Sequence, residues 1–550
     1  MPGFVASGGA AAHDGGRDRY LLAWAGVTNT TGYDAKWEVY GRFVDAHGIP
    51  VDDQFPIARM GGDSPSYDVT DVTLAYDPRA DEYLVLWAGD TPDDGHVDNE
   101  FQVWGRRLTG SGAPIGDPLL VSDRSKGVPT RVPVGVDVAY NAVDDEFLVA
   151  WDANDPDTAS YEIFVQRIDP SGRLVGDDNA RISDMTAGSQ HTAGGPDGGA
   201  TQPSVAFDSR SDAYLVGWVG WTFTDPATRT TRNYVQRLSA SGDPLGSRIM
   251  ISDGYSDGSE PIISHAKLVY NPVTREFFAT WIASPEEGTP NVFGQRLDET
   301  GDRVGTDQFQ ISNFPAPLTR YVGGATVAVD PGTGNYLVGM STEIRSDIFA
   351  NTDNTEGFIQ RLDPQGSPYG DPQVQITHDE PPQDDRYYSA GIGAVVSGGR
   401  DAFLVYWRSR DHSAQTLLGE TEVYERVVEP DAAPVVQPDP SPPPDNQPPP
   451  DNQPPPDNQP PPDNQPPPGD PAPPGPVDAP TEGLPAATGS VESPASPFIV
   501  SPLTFNPLAD AHPTCARGVR GIRRKKVGHA RSCHVRRVIR RHTRVRHPAQ

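Results

Sequence analysis

The chain has 550 residues, with 44 Lys+Arg against 75 Asp+Glu and a formal net charge of −31 at pH 7. From Cys515 onward there are 13 Arg or Lys and no acidic residue, so the rest of the chain carries −44. Such an acidic body disfavours nucleic acid and anionic lipid as its partners. Both cysteines lie in the basic tail, which excludes disulfides and thiolate chemistry from the body.

The N-terminal residues pass directly into repeat-like sequence. They lack the basic and apolar regions of a signal peptide, and no apolar run in the chain approaches the roughly 20 residues of a membrane span. We therefore expect the start at Met1 to be truncated or misassigned.

One phrase recurs seven times along the chain: a polar residue, an aromatic residue, aliphatic residues and usually tryptophan. Residues 81–87 read DEYLVLW, residues 145–151 read DEFLVAW and residues 401–407 read DAFLVYW. The phrase ends 59 to 67 residues after the preceding copy, at Trp24, Trp87, Trp151, Trp218, Trp281, Met340 and Trp407. A repeat of this length indicates one supersecondary unit per copy.

Each unit predicts four short strands, named a to d here. Strand a is small and apolar and ends in an Asx turn such as Asp77-Pro78. Strand b is the tryptophan phrase, apolar enough to be covered on both faces. Strand c precedes a hairpin whose glycine requires a positive φ, and strand d follows that hairpin. The hairpin glycines are Gly48, Gly112, Gly172, Gly242, Gly301 and Gly366.

Seven four-stranded antiparallel units without helical periodicity predict an all-β fold, a seven-bladed β-propeller over residues 1–430. A linear β-solenoid is the alternative, but its coils are normally shorter. The seventh copy has a poor strand d, because only Ala433–Val436 precedes the proline tract. Residues upstream of Met1, or Gly3–Val5 themselves, are expected to complete that blade.

These repeats resemble those of bacterial secreted proteins built on the pattern YLVvW … QRLd..G..vG..f.iS. The resemblance covers residues 1–430 and rests on the phrases quoted above. Most such proteins have no determined function, so it implies a propeller and export rather than an activity.

The d–a and b–c connections vary in length and emerge on the same end of an antiparallel blade. Function concentrates on variable loops of a rigid scaffold, so a polar glycan or a protein ligand is expected at this end of the channel. The simpler alternative is a set of ordinary solvated loop residues. The candidate ligand-binding residues precede strand a: Asp68, Asp71, Arg131, Gln202, Glu260, His265, Arg320, Tyr321, Arg386 and Tyr387.

The repeated strand c arginines are predicted to pair with carboxylates across strands. They are Arg107, Arg167, Arg237, Arg296, Arg361 and Arg426. No cofactor and no metal centre are expected. Acid-rich segments 93–98 and 253–258 offer the oxygen ligands that Ca²⁺ prefers, yet neither fits an EF-hand, and scattered Asp is more typical of a solvated surface.

No nucleophile elbow, zinc-protease motif or phosphate loop occurs. The main interpretation is therefore a non-catalytic binding or scaffold module, predicted to be monomeric and extracellular or attached to a bacterial cell surface. The alternative is a propeller enzyme, a glycan hydrolase or lyase with its site at the channel mouth. Two carboxylates there, about 5–10 Å apart, would favour the enzyme. Asp68 and Glu260 are one such pair that distant loops could assemble.

Residues 431–477 form a proline-rich linker, and PPPDNQ occurs four times from Pro442 to Gln465. This composition favours polyproline II over a packed core. Residues 478–514 read as a disordered spacer.

The basic tail, 515–550, is predicted to attach to an anionic cell wall or membrane surface. Nonspecific nucleic-acid binding through phosphates, or folding back on the acidic propeller, are the alternatives. The attachment residues are Arg523, Arg524, Lys525, Lys526, Arg536, Arg537, Arg540 and Arg541. In an exported protein Cys515 and Cys533 are a candidate disulfide. Metal binding with His529 and His534 matches no zinc spacing.

Overall fold

The computed structural model describes residues 5–27, 37–59, 69–89, 101–122, 135–155, 160–185, 198–225, 228–253, 264, 266–284, 290–314, 319–344, 355–377, 391–410 and 421–428. All of them fall in one compact unit, Met1–Glu492. The linker, the spacer, the basic tail and both cysteines lie outside the described residues. The described ranges contain no helix, and therefore none that could span a membrane.

The described residues form 27 strands in seven antiparallel sheets, and each sheet is hydrogen-bonded in chain order. The first three blades contain β1 (Val5–Asp14), β2 (Arg19–Val27), β3 (Trp37–Asp45) and β4 (Phe55–Ala58); β5 (Val69–Asp77), β6 (Glu82–Gly89), β7 (Gln102–Thr109) and β8 (Pro114–Ser122); and β9 (Val136–Asn141), β10 (Glu146–Asp155), β11 (Ser160–Ile168) and β12 (Leu174–Arg181).

Blades 4 to 7 continue the same order. Their strands are β13 (Gly198–Asp208), β14 (Ala213–Asp225), β15 (Thr228–Ser239) and β16 (Ile249–Met250); β17 (Lys267–Asn271), β18 (Glu276–Ala283), β19 (Asn291–Leu297) and β20 (Arg303–Gln310); β21 (Thr319–Val329), β22 (Tyr336–Ile344), β23 (Thr355–Leu362) and β24 (Pro368–Gln375); and β25 (Gly391–Gly399), β26 (Ala402–Arg410) and β27 (Thr421–Val428).

The first strand of each blade is its innermost strand, and these strands close into a ring. Each contacts the first strand of the next blade, and β25 of the last blade contacts β1 of the first. This closure excludes the solenoid, because the two ends of a solenoid do not meet. The predicted seven-bladed propeller is confirmed.

The hydrophobic core is divided among the seven seams between blades. Each seam holds one cluster that joins two neighbouring sheets, including the seam between the last and first blades. The second strands supply the largest buried side chains, and Trp87, Trp151, Trp218 and Trp281 are fully buried. As predicted, the tryptophan strand is covered on both faces.

The turns follow the chemistry that the sequence predicts. Asp77 Oδ1 accepts hydrogen bonds from the amides of Arg79 and Ala80, at 2.7 and 3.1 Å, and Asp14, Asn141, Asp208, Asn271 and Asp330 form equivalent turns. All six hairpin glycines have φ between +74° and +94°, a region that only glycine enters without a steric cost.

The strand c arginines also pair as predicted in three blades. Arg107 lies 2.6 Å from Glu82, Arg167 lies 2.6 Å from Glu146 and Arg296 lies 2.7 Å from Glu276. Arg361 instead reaches Asp401 of the next blade, at 3.3 Å. These arginines are structural.

Blade 7 has three strands among the described residues, where the sequence predicts four. The expectation that Gly3–Val5 complete it is wrong for Val5, which pairs with Val27 in the first blade. Trp407 is consequently only partly buried, whereas Trp281 of the fifth blade is fully buried.

This difference predicts unequal costs of removing the two tryptophans. Trp281→Ala should lower the free energy of unfolding by about 3–5 kcal/mol, as full burial of a large aromatic side chain implies. Trp407→Ala should cost less, because the ring keeps contact with solvent. Urea denaturation of both variants, followed by circular dichroism, measures the difference, and equal losses would contradict it.

Candidate functional site

The variable connections all emerge at one end of the propeller. Antiparallel pairing places the short a–b and c–d turns at one end of each blade and the d–a and b–c connections at the other. The start of each inner strand and the end of each second strand therefore surround the channel at the variable end. We call this region the channel mouth.

The inner strands carry β-bulges near the channel mouth in five blades. The register shifts lie at Ser7/Gly9, Thr70/Val72, Thr201/Ser204, Gly323/Ala325 and Ile392/Ala394. Glycine occupies the bulge in the first, sixth and seventh blades, but Asp71 and Gln202 occupy it in the second and fourth. Bulges re-aim side chains and are frequent beside active sites.

Asp71 and Gln202 are held in a left-handed conformation that disfavours side chains. Their φ angles are +46° and +57°, respectively. A non-glycine residue in this region costs of order 1 kcal/mol or more, and such strain concentrates at functional sites. Both residues belong to the predicted ligand-binding set.

Asp152 lies behind these bulges, at the end of the second strand of the third blade. Its Oδ1 accepts hydrogen bonds from the amides of Gly135, at 2.9 Å, and of Gln202, at 3.0 Å. A Cβ at Gly135 would lie 2.7 Å from that oxygen, so only glycine permits this approach. The carboxyl group thus joins the third blade to the bulge of the fourth.

Asp71 lies close to Asp152. Its Oδ2 accepts a hydrogen bond from the amide of Val136 at 2.7 Å, and Asp152 binds the preceding amide. Consecutive residues are ~3.8 Å apart, which limits the distance between the two bonded oxygens to about 9–10 Å. This upper limit overlaps the separations of about 5–9.5 Å that glycosidases use between their two carboxyl groups.

The surroundings of these two carboxyl groups raise their pKa values above that of an ordinary aspartate. Burial raises the pKa of Asp152 to about 7, with a further contribution from the charge of Asp71. Asp71 is exposed at the channel, and desolvation by the surrounding protein raises its pKa while the charge of Lys267 opposes the rise.

The neighbouring inner strands add a charge pair. Lys267 Nζ lies 3.8 Å from Asp137 Oδ2, and the same oxygen accepts a hydrogen bond from the amide of Val205 at 3.1 Å. Within the described ranges, no group of three or more His, Cys, Asp and Glu is arranged to hold a metal ion.

Most other buried acids have structural roles that recur around the ring. The Asx turns and the arginine pairs account for two sets. Glu162 accepts hydrogen bonds from Ser183 and from the amide of Met185, and Glu356 accepts one from Thr377 at the equivalent place. Asp71 and Asp152 are set apart because the other blades do not repeat them.

The repeat itself carries a signal for Asp152 that the sequence analysis missed. The residue after the strand b tryptophan is apolar in four blades: Ala25, Ala88, Val219 and Ile282. The third blade has Asp152 and the seventh has Arg408. A comparison of the copies position by position would have identified both.

The remaining predicted site residues fall into two groups, those on an inner strand and those outside the described residues. Arg320 and Tyr321 lie in β21, an inner strand. Asp68, Arg131, Glu260, His265, Arg386 and Tyr387 lie outside the described residues, as do the acid-rich segment 93–98 and residues 254–258 of the other.

No protein-family model and no curated protein matches this chain. Solved structures with a similar fold include an ulvan lyase of polysaccharide lyase family PL25, with 9% identity over 78% of this chain and 96% of that chain and a TM-score of 0.42. An α-L-arabinanase from Penicillium chrysogenum has 13% identity over 54% and 93%, with a TM-score of 0.31. An exo-β-1,3-galactanase from Phanerochaete chrysosporium has 13% identity over 62% and 76%, with a TM-score of 0.31.

At these identities the likeness is one of fold. The proteins matched are nevertheless glycan-processing enzymes by name. The prediction of a non-catalytic binding or scaffold module that is not an enzyme is therefore wrong as the main interpretation.

The raised pKa of Asp152 predicts a pH-dependent stability. In the unfolded chain this carboxyl ionises near pH 4, whereas folding buries it, so stability falls as pH rises toward about 7. The slope attributable to one such group is at most about 1.4 kcal/mol per pH unit.

Thermal unfolding of the wild type and of Asp152→Asn at pH 5 and pH 8 measures this effect. The variant should gain stability relative to the wild type between pH 5 and pH 8. Asp177→Asn, an exposed residue of β12, is the matched control and should show a constant difference. A difference for Asp152→Asn that does not change with pH would contradict the burial argument.

Proposed function

We propose that the propeller is a glycan-active enzyme whose reaction site is the channel mouth. The observation that supports this is the pairing of Asp71 and Asp152, two nearby carboxyl groups of which one is exposed at the channel and the other is buried behind it. Such a pair can divide the roles of base and acid between chemically identical groups. Glycan hydrolysis and glycan elimination both need proton transfer at the sugar.

In this proposal Asp71 contacts the glycan as the base. It is exposed at the channel, and its bulge fixes its direction. Asp152 keeps its proton to about pH 7 and is the acid of the pair. Lys267 stabilises the ionised form of Asp71 and lies on the inner strand of the fifth blade.

Polysaccharides that are too large to enter cells fit the predicted extracellular or cell-surface location. Nothing in the described residues bears on export, on the monomeric state, on surface attachment through the basic tail or on a Cys515–Cys533 disulfide. Those expectations remain predictions.

Turnover of a polysaccharide panel by the full chain tests the proposal. The panel contains arabinan, β-1,3-galactan and ulvan, with reducing-end release and absorbance at 235 nm as separate readouts for hydrolysis and elimination. Asp71→Asn should lower kcat/KM by a factor of about 10²–10⁴, the usual contribution of a general base. Asp117→Asn, an exposed residue on the outer strand of the same blade, should retain full activity.

Failure of the wild type on every polysaccharide would overturn the proposal. So would an Asp71→Asn variant that keeps wild-type turnover.

The pH profile tests the role of Asp152. Wild-type activity should decline above about pH 7, as the acid of the pair loses its proton. Asp152→Asn should be slower and should lose this alkaline limb, because an amide cannot ionise. An unchanged limb in the variant would assign the titration to another group.

A further inference from the structure

A second residue that departs from the repeat lies in the seventh blade. The first blade stands between it and Asp71 of the second blade. The residue before the strand b tryptophan is small or aliphatic in most blades and faces the inner strand of the next blade, as the contact of Gly217 with Leu268 shows. The occupants of this position are Ala23, Leu86, Ala150, Gly217, Thr280, Gly339 and, in the seventh blade, Tyr406.

Two glycines make room for the Tyr406 ring. A Cβ on Gly9, in the inner strand of the first blade, would overlap the Tyr406 hydroxyl, and a Cβ on Gly393 would overlap its hydroxyl and ring. Gly393 lies at the bulge of β25 and is exposed to the channel. The Tyr406 ring and hydroxyl therefore pack directly against the backbone of these two glycines.

The hydroxyl of Tyr406 is buried and finds no hydrogen-bond partner among the residues that the structure describes. Phenylalanine would fill the same space without removing a hydroxyl from water, so packing alone does not account for tyrosine here. Burial raises the pKa of Tyr406, and Asp71 contributes to the rise while Arg408 opposes it. The phenol is thus within electrostatic reach of the Asp71 carboxylate.

The fold explains this proximity. The inner strand β1 contacts β25 on one side and β5 on the other. Tyr406 occupies the seam between β25 and β1, and Asp71 lies on β5. The phenol and the carboxylate therefore flank one strand of the channel wall.

We propose that Tyr406 is a ligand-contacting residue, whose hydroxyl hydrogen-bonds the glycan between Gly9 and Gly393. This inference rests on the proposed function, because it assigns a third residue to the same site. A bound sugar supplies the partner that the hydroxyl lacks in the free protein. A small shift of the glycine bulge at Gly393 exposes the hydroxyl to it.

Tyr83 provides a matched control. Its hydroxyl is also buried without a partner among the described residues, but it stands at the first aromatic position of strand b. Other blades place phenylalanine there, as in Phe147 and Phe277, and that position lies at the constant-turn end. The repeat therefore accepts either tyrosine or phenylalanine at this position.

The experiment compares wild type, Tyr406→Phe and Tyr83→Phe on the panel polysaccharide that the wild type turns over. Tyr406→Phe should lower kcat/KM at least tenfold, chiefly through KM, with a Tm no lower than that of the wild type. Tyr83→Phe should leave kcat/KM unchanged. This combination identifies a contact made to the substrate rather than within the fold.

The inference fails if Tyr406→Phe keeps kcat/KM within twofold of the wild type while Asp71→Asn is inactive. It also fails if Tyr406→Phe lowers the Tm by several degrees, since the hydroxyl would then have a structural partner. A wild type that turns over none of the panel overturns the proposed function, and this assignment with it.

Discussion

The structure depends on the burial of one strand per blade. The tryptophan strand is apolar on both faces, so a single sheet cannot shield it from water. Two neighbouring blades must cover it, and every blade has two neighbours only if the ring closes. The seven clusters in the seams and the contact between β25 and β1 are the result.

Ring closure also makes a functional site possible. It brings to one axis residues that are far apart in the chain, such as Asp71, Asp152 and Tyr406. It encloses the channel mouth enough to raise carboxyl pKa values while leaving Asp71 in contact with solvent. A rigid frame can also hold Asp71 and Gln202 at positive φ, a strain that a flexible loop would relieve.

The residues proposed to act are those that depart from the repeat. Asp152 stands where four blades have apolar side chains, and Tyr406 stands where most blades have small or aliphatic ones. Repeated residues such as Arg107, Arg167 and Arg296 instead form the same arginine–glutamate pair in each of three blades. In a repeat protein, structure repeats because every blade has the same packing problem, whereas one ligand at the axis requires different residues from different blades.

The sequence by itself determined the propeller, the number of blades, the turn types and three of the arginine pairs, because each depends on a local pattern that recurs from blade to blade. It also placed Asp71 and Gln202 at the channel mouth. It did not identify Asp152 or Tyr406, and it favoured a non-catalytic module. Only the tertiary structure sets the environments of Asp152 and Tyr406, because a proton affinity depends on burial and on charges from other blades. The close approach of the Tyr406 ring to Gly9 likewise exists only because the seam between the last and first blades is closed.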